Sequence, residues 1–191
     1  MAATNISLCN GALMLIGAER ISSLTESSEE AAVCNERFAH VRDAVLQVFP
    51  WNCCTYRKTL TQDTTAPVYD YQYKYLLPTS PLCLSVLEVY ETDDWRIEED
   101  YLVTDSAEVN ILYIGKNTDP AKYPPYLVEL ISARLAVDIA YKLSGSSEVA
   151  ANSAKIYNYK MQEAVELEGR QGNMPRTAND VYTDPWFSKR R

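Results

Sequence analysis

With 191 residues, 47% hydrophobic and 23% charged, the chain is long enough to bury a real core and too apolar for global disorder. The formal net charge of −8 is uneven: in residues 169–191 five basic side chains against two aspartates leave +3, so the first 168 residues carry −11. An acidic body has no electrostatic reason to grip phosphate, which argues against sequence-reading nucleic-acid binding.

No apolar run approaches the roughly 20 residues of a membrane span. The N-terminal "MAATNISLCNGALMLIGAERI" has no basic stretch ahead of its apolar residues, so a secretory signal is a poor reading and synthesis in a cytoplasm is expected. Five cysteines (Cys9, Cys34, Cys53, Cys54, Cys83) are scattered without any C-x-x-C, which speaks against a disulfide framework or a zinc knuckle.

In chain order, a helix is expected over about residues 5–16, with Leu8, Ala12, Leu15 and Ile16 on one side and Gly17 turning the chain out of it. Ser27 with Glu30 reads as a capping box. It opens a long helix over about 28–49, in which Ala31, Cys34, Phe38, Val41, Val45 and Val48 form one apolar stripe. Pro50 stops it. "FPWNCC" is then a corner into a β region, with Trp51 wedged at the junction; Cys53 and Cys54 have no partner histidine, and adjacent cysteines bridge only with strain.

The β region covers about 60–115. Tyrosines at 69, 71, 73 and 75 alternate strictly, as in a strand with one aromatic face. Residues 82–91, 101–104 and 109–115 read as further strands, and short spacings favour antiparallel hairpins over crossovers. Helix resumes over about 125–143, with Pro125 suited to its first position. This segment is apolar nearly all round, as a centrally buried helix is, and Arg134 and Asp138 are spaced to pair on its one polar strip. Gly145 and Ser146 make the turn into a last helix over about 147–168, which carries Ala150, Ala154, Tyr157, Met161 and Ala164 on one face. Residues 169–191 mix Gly, Pro, Asn and charge without periodicity and read as an extended tail. The expected class is α+β: about four helices packed with a small antiparallel sheet region in one domain over 1–168, then the tail.

Candidate chemistry is thin. The single histidine, His40, lies off the apolar stripe, and no G-x-S-x-G accompanies it. No phosphate-loop pattern occurs among the six glycines. The acidic run "YETDDWRIEEDY" (Glu91, Asp93, Asp94, Glu98, Glu99, Asp100) lacks the glycine turn of a calcium loop and reads as a solvated hairpin turn. The tyrosine stripe reads as a packed sheet face or a subunit interface rather than a base-stacking platform, because only Lys74 interleaves with it, beside Asp70.

Several blocks resemble one family. They are "LCNGALMLIGAERISSLTESSEEAAVCNERFAHVRDAVLQVFPWN", "YKYLLPTSPLCLSVLEVYE", "VNILYIGKNTDPAKYPP" and "ELISARLAVDIAYKLSGS". Together they resemble the tail tubular protein A family, the head-to-tail adaptors of short-tailed bacteriophages, over nearly the whole chain. Cys53-Cys54 departs from the family, which more usually shows an aromatic and a small residue there, and the tail matches only loosely.

The resemblance implies a virion structural protein without enzymatic activity or cofactor. It would form a twelve-fold ring with copies of itself, between a portal protein and a tail nozzle protein, with DNA passing non-specifically through the lumen. On that reading Trp186, Phe187, Lys189, Arg190 and Arg191 are expected to anchor onto the portal. Tyr71, Tyr73, Tyr75, Asp93 and Asp94 would belong to a subunit interface or the nozzle face. Two alternatives stay open: a small cytoplasmic module that docks a peptide against the tyrosine strand, and a metal-dependent hydrolase using the 91–100 cluster.

Overall fold

The computed structural model describes residues 2–171, so every expectation for Trp186, Phe187 and the basic end lies outside the described residues. The described chain is α+β: four helices and six strands in two antiparallel three-stranded sheets. Its contacts gather in two compact units, one of residues 2–49 with 118–171 and the other of residues 50–117.

The helical unit holds α1 (Asn5–Ile16), α2 (Glu29–Val48), α3 (Pro125–Ser144) and α4 (Ser147–Gly169). Helix α3 packs against each of the other three. It buries Leu127, Leu130, Ile131, Leu135 and Ile139 completely, and each such side chain contributes about 1.5–3 kcal/mol. Small residues set the approach of α1: a Cβ on Gly11 would stand 2.9 Å from Ser132 Oγ, a hydroxyl already donating to Val128 O at 2.9 Å.

The ends of α3 and α4 fix their antiparallel pairing. Tyr126 Oη, near the start of α3, donates to Glu168 Oε2 at 2.5 Å, near the end of α4. Lys160 Nζ lies 2.5 Å from Glu129 Oε2. Toward α2, Asp138 takes both Arg134 and Arg37, at 2.8 and 2.7 Å, and Lys142 pairs with Glu29 at 2.7 Å. The Arg134–Asp138 pairing expected from the spacing is thus present, and the same carboxylate also holds α2.

Caps follow the sequence with one shift. Gly17 (φ 74) and Gly145 (φ 63) end α1 and α3 in the left-handed region, and Ser146 Oγ accepts from Val149 N. The N-cap of α2 is Ser28, one residue after the serine expected: its hydroxyl accepts from Ala31 N and donates to Glu26 Oε1. Glu26 Oε2 also accepts from Ser22 N, Ser22 Oγ and Ser23 N, so this carboxylate folds the connector ahead of α2 around itself. Asn10 holds the start of that connector with a paired bond to Ile21, N–H to Oδ1 at 2.8 Å and Nδ2 to C=O at 2.9 Å.

In the β unit, Trp51 is fully buried at the corner, and its carbonyl accepts from Cys54 N and Thr55 Oγ1. A 3-10 turn at Asn52–Cys54 leads into β1 (Thr55–Thr59), which starts before the expected β region. The others are β2 (Tyr73–Leu76), β3 (Cys83–Val89), β4 (Trp95–Glu98), β5 (Tyr101–Thr104) and β6 (Asn110–Gly115). One sheet runs β1-β6-β3 and the other β2-β5-β4, all antiparallel. Of these pairs only β4 and β5 form a tight sequential hairpin; β6 pairs with strands distant in sequence. Leu60, Tyr75, Leu102, Val109, Ile111 and Tyr113 form the core of the unit.

Two strand expectations are corrected. The tyrosine alternation is a strand only from Tyr73, because Asp70 has φ 69 and Tyr71 N turns back onto Tyr69 O. Strand β5, the partner, has only four residues, so nothing extends the ladder to residues 69–72. The acidic run is not one turn either, since β4 occupies its middle.

Two predictions follow from these joints. A Cβ on Gly115 would meet the Tyr56 ring at 2.6 Å and Pro81 Cγ at 2.8 Å, so Gly115→Ala should cost about 1–3 kcal/mol in urea unfolding. The hydrogen bonds from Ser22, then those from Ser28 and Ser23, hold the Glu26 carboxyl down to about 2 from its ordinary 4.5. Because the folded value is the lower one, its stabilisation is complete above about pH 4.5 and is lost as pH falls toward 2. Melting temperatures of wild type and Glu26→Gln should therefore differ most near pH 6 and converge near pH 2.

Candidate functional site

The acidic segment is held by its own side chains. Glu91 sits at φ 69 and grips the first residue of β6: Asn110 N donates to Oε2 at 2.9 Å and Asn110 Nδ2 to Oε1 at 2.8 Å. Asp94 Oδ1 accepts from Tyr71 Oη at 3.0 Å, and Asp94 O accepts from the buried Thr104 hydroxyl at 2.8 Å. Desolvation, then the Asp94 carboxylate, raise the Tyr71 phenol above its ordinary value. Asp93 is exposed. Among the described residues, no group of three or more His, Cys, Asp or Glu side chains is arranged to hold a metal ion. Glu91 and Asp94 do structural work, joining the segment to β6 and to Tyr71.

The tyrosines divide by depth. Tyr75 is buried, its hydroxyl donating to Ser106 O at 2.8 Å, and Tyr73 packs half-buried on the same core. Tyr71 is half-buried, whereas Tyr69 and the neighbouring Val68 are 76% and 95% exposed. The outer edge of β2 is already engaged, by a bridge between Gln62 and Tyr75 and a bond from Asp63 N to Lys74 O. A peptide has little free backbone to pair with along the tyrosine strand.

A hollow among the described residues of this unit lies elsewhere. Strands β3 and β4 stand at the ends of their respective sheets, and a groove of about 340 Å³ runs beside them. Its lining includes Leu77, Cys83, Val86, Trp95 and Ile97 together with Glu99 and Asp100. Alternation along β4 puts Trp95 and Ile97 on the groove side, and Glu99 and Asp100 line it from the turn that follows. Glu99 and Asp100 are the two-residue turn into β5, and φ 52 at Glu99 is what such a hairpin demands of its first residue. Ile97 is 42% exposed beside these two exposed carboxylates. Burial pushes the Cys83 thiol up to about 11, so it faces the groove as a neutral thiol at pH 7. The sequence signal for this groove is the alternation W-R-I-E inside the acidic run, masked by the charges around it.

Other candidates are accounted for structurally. His40 is exposed on α2. Cys9 and Cys34 are both buried, and their hydrogen bond, followed by burial, drives the Cys9 thiol well above its usual range. Cys53 and Cys54 are not joined by a disulfide; their sulfurs lie 3.5 Å apart in hydrogen-bond contact. No helix of the described residues is long and apolar enough to cross a membrane.

If Glu91 is structural, Glu91→Ala should lower unfolding stability by about 1 kcal/mol, while Asp93→Asn should change it by less than about 0.5 kcal/mol. Urea midpoints of the two variants check this; equal effects would remove the distinction. No protein-family model matches the chain, and no curated protein matches it.

Proposed function

We propose that the chain is a head-to-tail adaptor, a virion structural protein that assembles as a ring between portal and tail nozzle and lets DNA pass. The observation that supports this best is where the resembling segments fall in the fold. Asn10 and Glu26 tie the connector, Gly17 ends α1, Trp51 seals the corner, and Gly115 lies between Tyr56 and Pro81. These segments resemble the adaptor family in framework residues, those that give the chain its shape, and shape is what a ring subunit supplies.

Two further features suit the reading. The helical unit leaves Met14, Tyr141 and Tyr159 more than half exposed, apolar surface of the kind that head-to-tail contacts around a closing rotation bury. The acidic body suits a conduit, because carboxylates repel the phosphate backbone and let it slide. In this proposal Trp186, Phe187, Lys189, Arg190 and Arg191 anchor the ring to the portal, aromatic side chains filling apolar pockets and basic ones meeting acidic surface. The groove beside β3 and β4 favours a second reading, a peptide-binding module with no ring.

Light scattering separates the two. Mixed with its cognate portal ring, the chain should join in twelve copies, and a chain ending at Glu168 should fail to join. A chain that ignores the portal and stays small at every concentration sinks the adaptor reading and leaves the module.

A further inference from the structure

We propose that the groove beside β3 and β4 receives an extended segment of a partner protein. The segment adds as a strand to the edge of β4, lays a large apolar side chain on Trp95 and Ile97, and sets a lysine or arginine against Glu99 and Asp100. The inference deepens the reading of this groove as a peptide site and does not depend on whether the chain also forms a ring.

The backbone supplies the edge. β4 has β5 on one side and, among the described residues, no strand on the other. The two-residue turn closes on the Glu98–Tyr101 pair, so Glu98 and Arg96 direct their backbone groups to β5. Trp95 and Ile97, the intervening residues, turn their N–H and C=O groups outward. The pairing of β4 runs through four consecutive residues without a shift, whereas β3 has register shifts between Cys83 and Ser85 and between Val86 and Glu88. Irregularities of that kind spoil an edge as a template for another strand, and a regular edge keeps it. Strand addition is therefore assigned to β4, and β3 contributes side chains to the lining.

The side chains define the ligand. Trp95 is half-buried and Ile97 exposed on the groove side, and Leu77, Cys83 and Val86 continue an apolar lining. A hollow of about 340 Å³ is at the small end for a ligand site and suits the side chains of one extended segment. Beside this apolar surface stand two carboxylates. Elsewhere in the acidic run Glu91 is held by Asn110, and Asp94 takes the Tyr71 hydroxyl. Glu99 and Asp100 differ: both are exposed, and among the described residues neither side chain makes an ion pair or a hydrogen bond. An apolar groove with an unpaired acidic end favours a cation next to an apolar side chain, and it repels acidic segments.

Titration of the full chain with three terminally blocked heptapeptides tests this. The first alternates valine and threonine over five residues and ends in two arginines. In the second, glutamates replace the arginines. The third is the arginine peptide N-methylated at all five preceding residues, which removes the N–H groups a strand donates. The arginine peptide should bind at least about tenfold more tightly than either of the others, and should slow amide exchange at Trp95 and Ile97 while α3 stays unchanged. Glu99→Lys/Asp100→Lys, at two exposed turn positions, should reverse the preference between the arginine and glutamate peptides, and salt at about 0.5 M should narrow it. Absence of binding by about 1 mM of the arginine peptide overturns the proposal. So does equal affinity for the arginine and glutamate peptides, or an N-methylated peptide that binds as tightly as its parent. Slow exchange at Trp95 and Ile97 without peptide, rising with chain concentration together with a doubled mass, overturns it in favour of a second copy as occupant. Peptide affinity is read separately from joining a portal ring, so failure here is distinguishable from failure of the adaptor.

Discussion

Helix α3 cannot exist exposed. Apolar on nearly every side, it is stable only when other elements cover it, and α1, α2 and α4 do so. That single constraint organises the helical unit. It explains the small residues at the α1 contact, where Gly11 meets Ser132, and the placing of ion pairs at the rims of α3 rather than within its contacts. Each rim pair keeps at least one partner about a third or more exposed, and contributes on the order of 1 kcal/mol. They fix which helix neighbours which; the buried leucines and isoleucines supply the energy.

The β unit is organised by β6 in the same way. It is the one strand with partners on both sides in its sheet, and five of its six residues are buried. Both partners are remote in sequence, so the sheet cannot form until the segment between β1 and β6 has folded back. Asn110, the first residue of β6, is then held by Glu91. The acidic stretch thereby acts as a clasp. Its charge attracts attention in the sequence, but two of its carboxylates are occupied in holding backbone and side chains, and the surface left over is the groove beside β4.

This bears on function through what the residues are used for. Here the Asp94 carboxylate takes a tyrosine hydroxyl, Glu26 folds a connector, Cys9 and Cys34 lie in the core, and Cys83 stays protonated. The investment is in joints and surfaces. In the proposed adaptor, the exposed apolar side chains of both units are where docking would be read out.

The sequence by itself determined the helices closely. Their periods are local, and Gly17, Pro50, Pro125 and Gly145 mark where the backbone must leave or enter the helical region. The same locality made β5 and β6 legible and the α+β class with them. It could not show that β1 begins at Thr55, since a strand of exposed polar residues has no pattern until β6 lies beside it. Nor could alternation of tyrosines show that the strand begins only at Tyr73, because a strand's length is set by its partner. The division of six strands between two sheets, and the groove beside β3 and β4, were decided only by tertiary structure. Pairing between residues about 50 positions apart depends on which surfaces meet, and no local spacing records that.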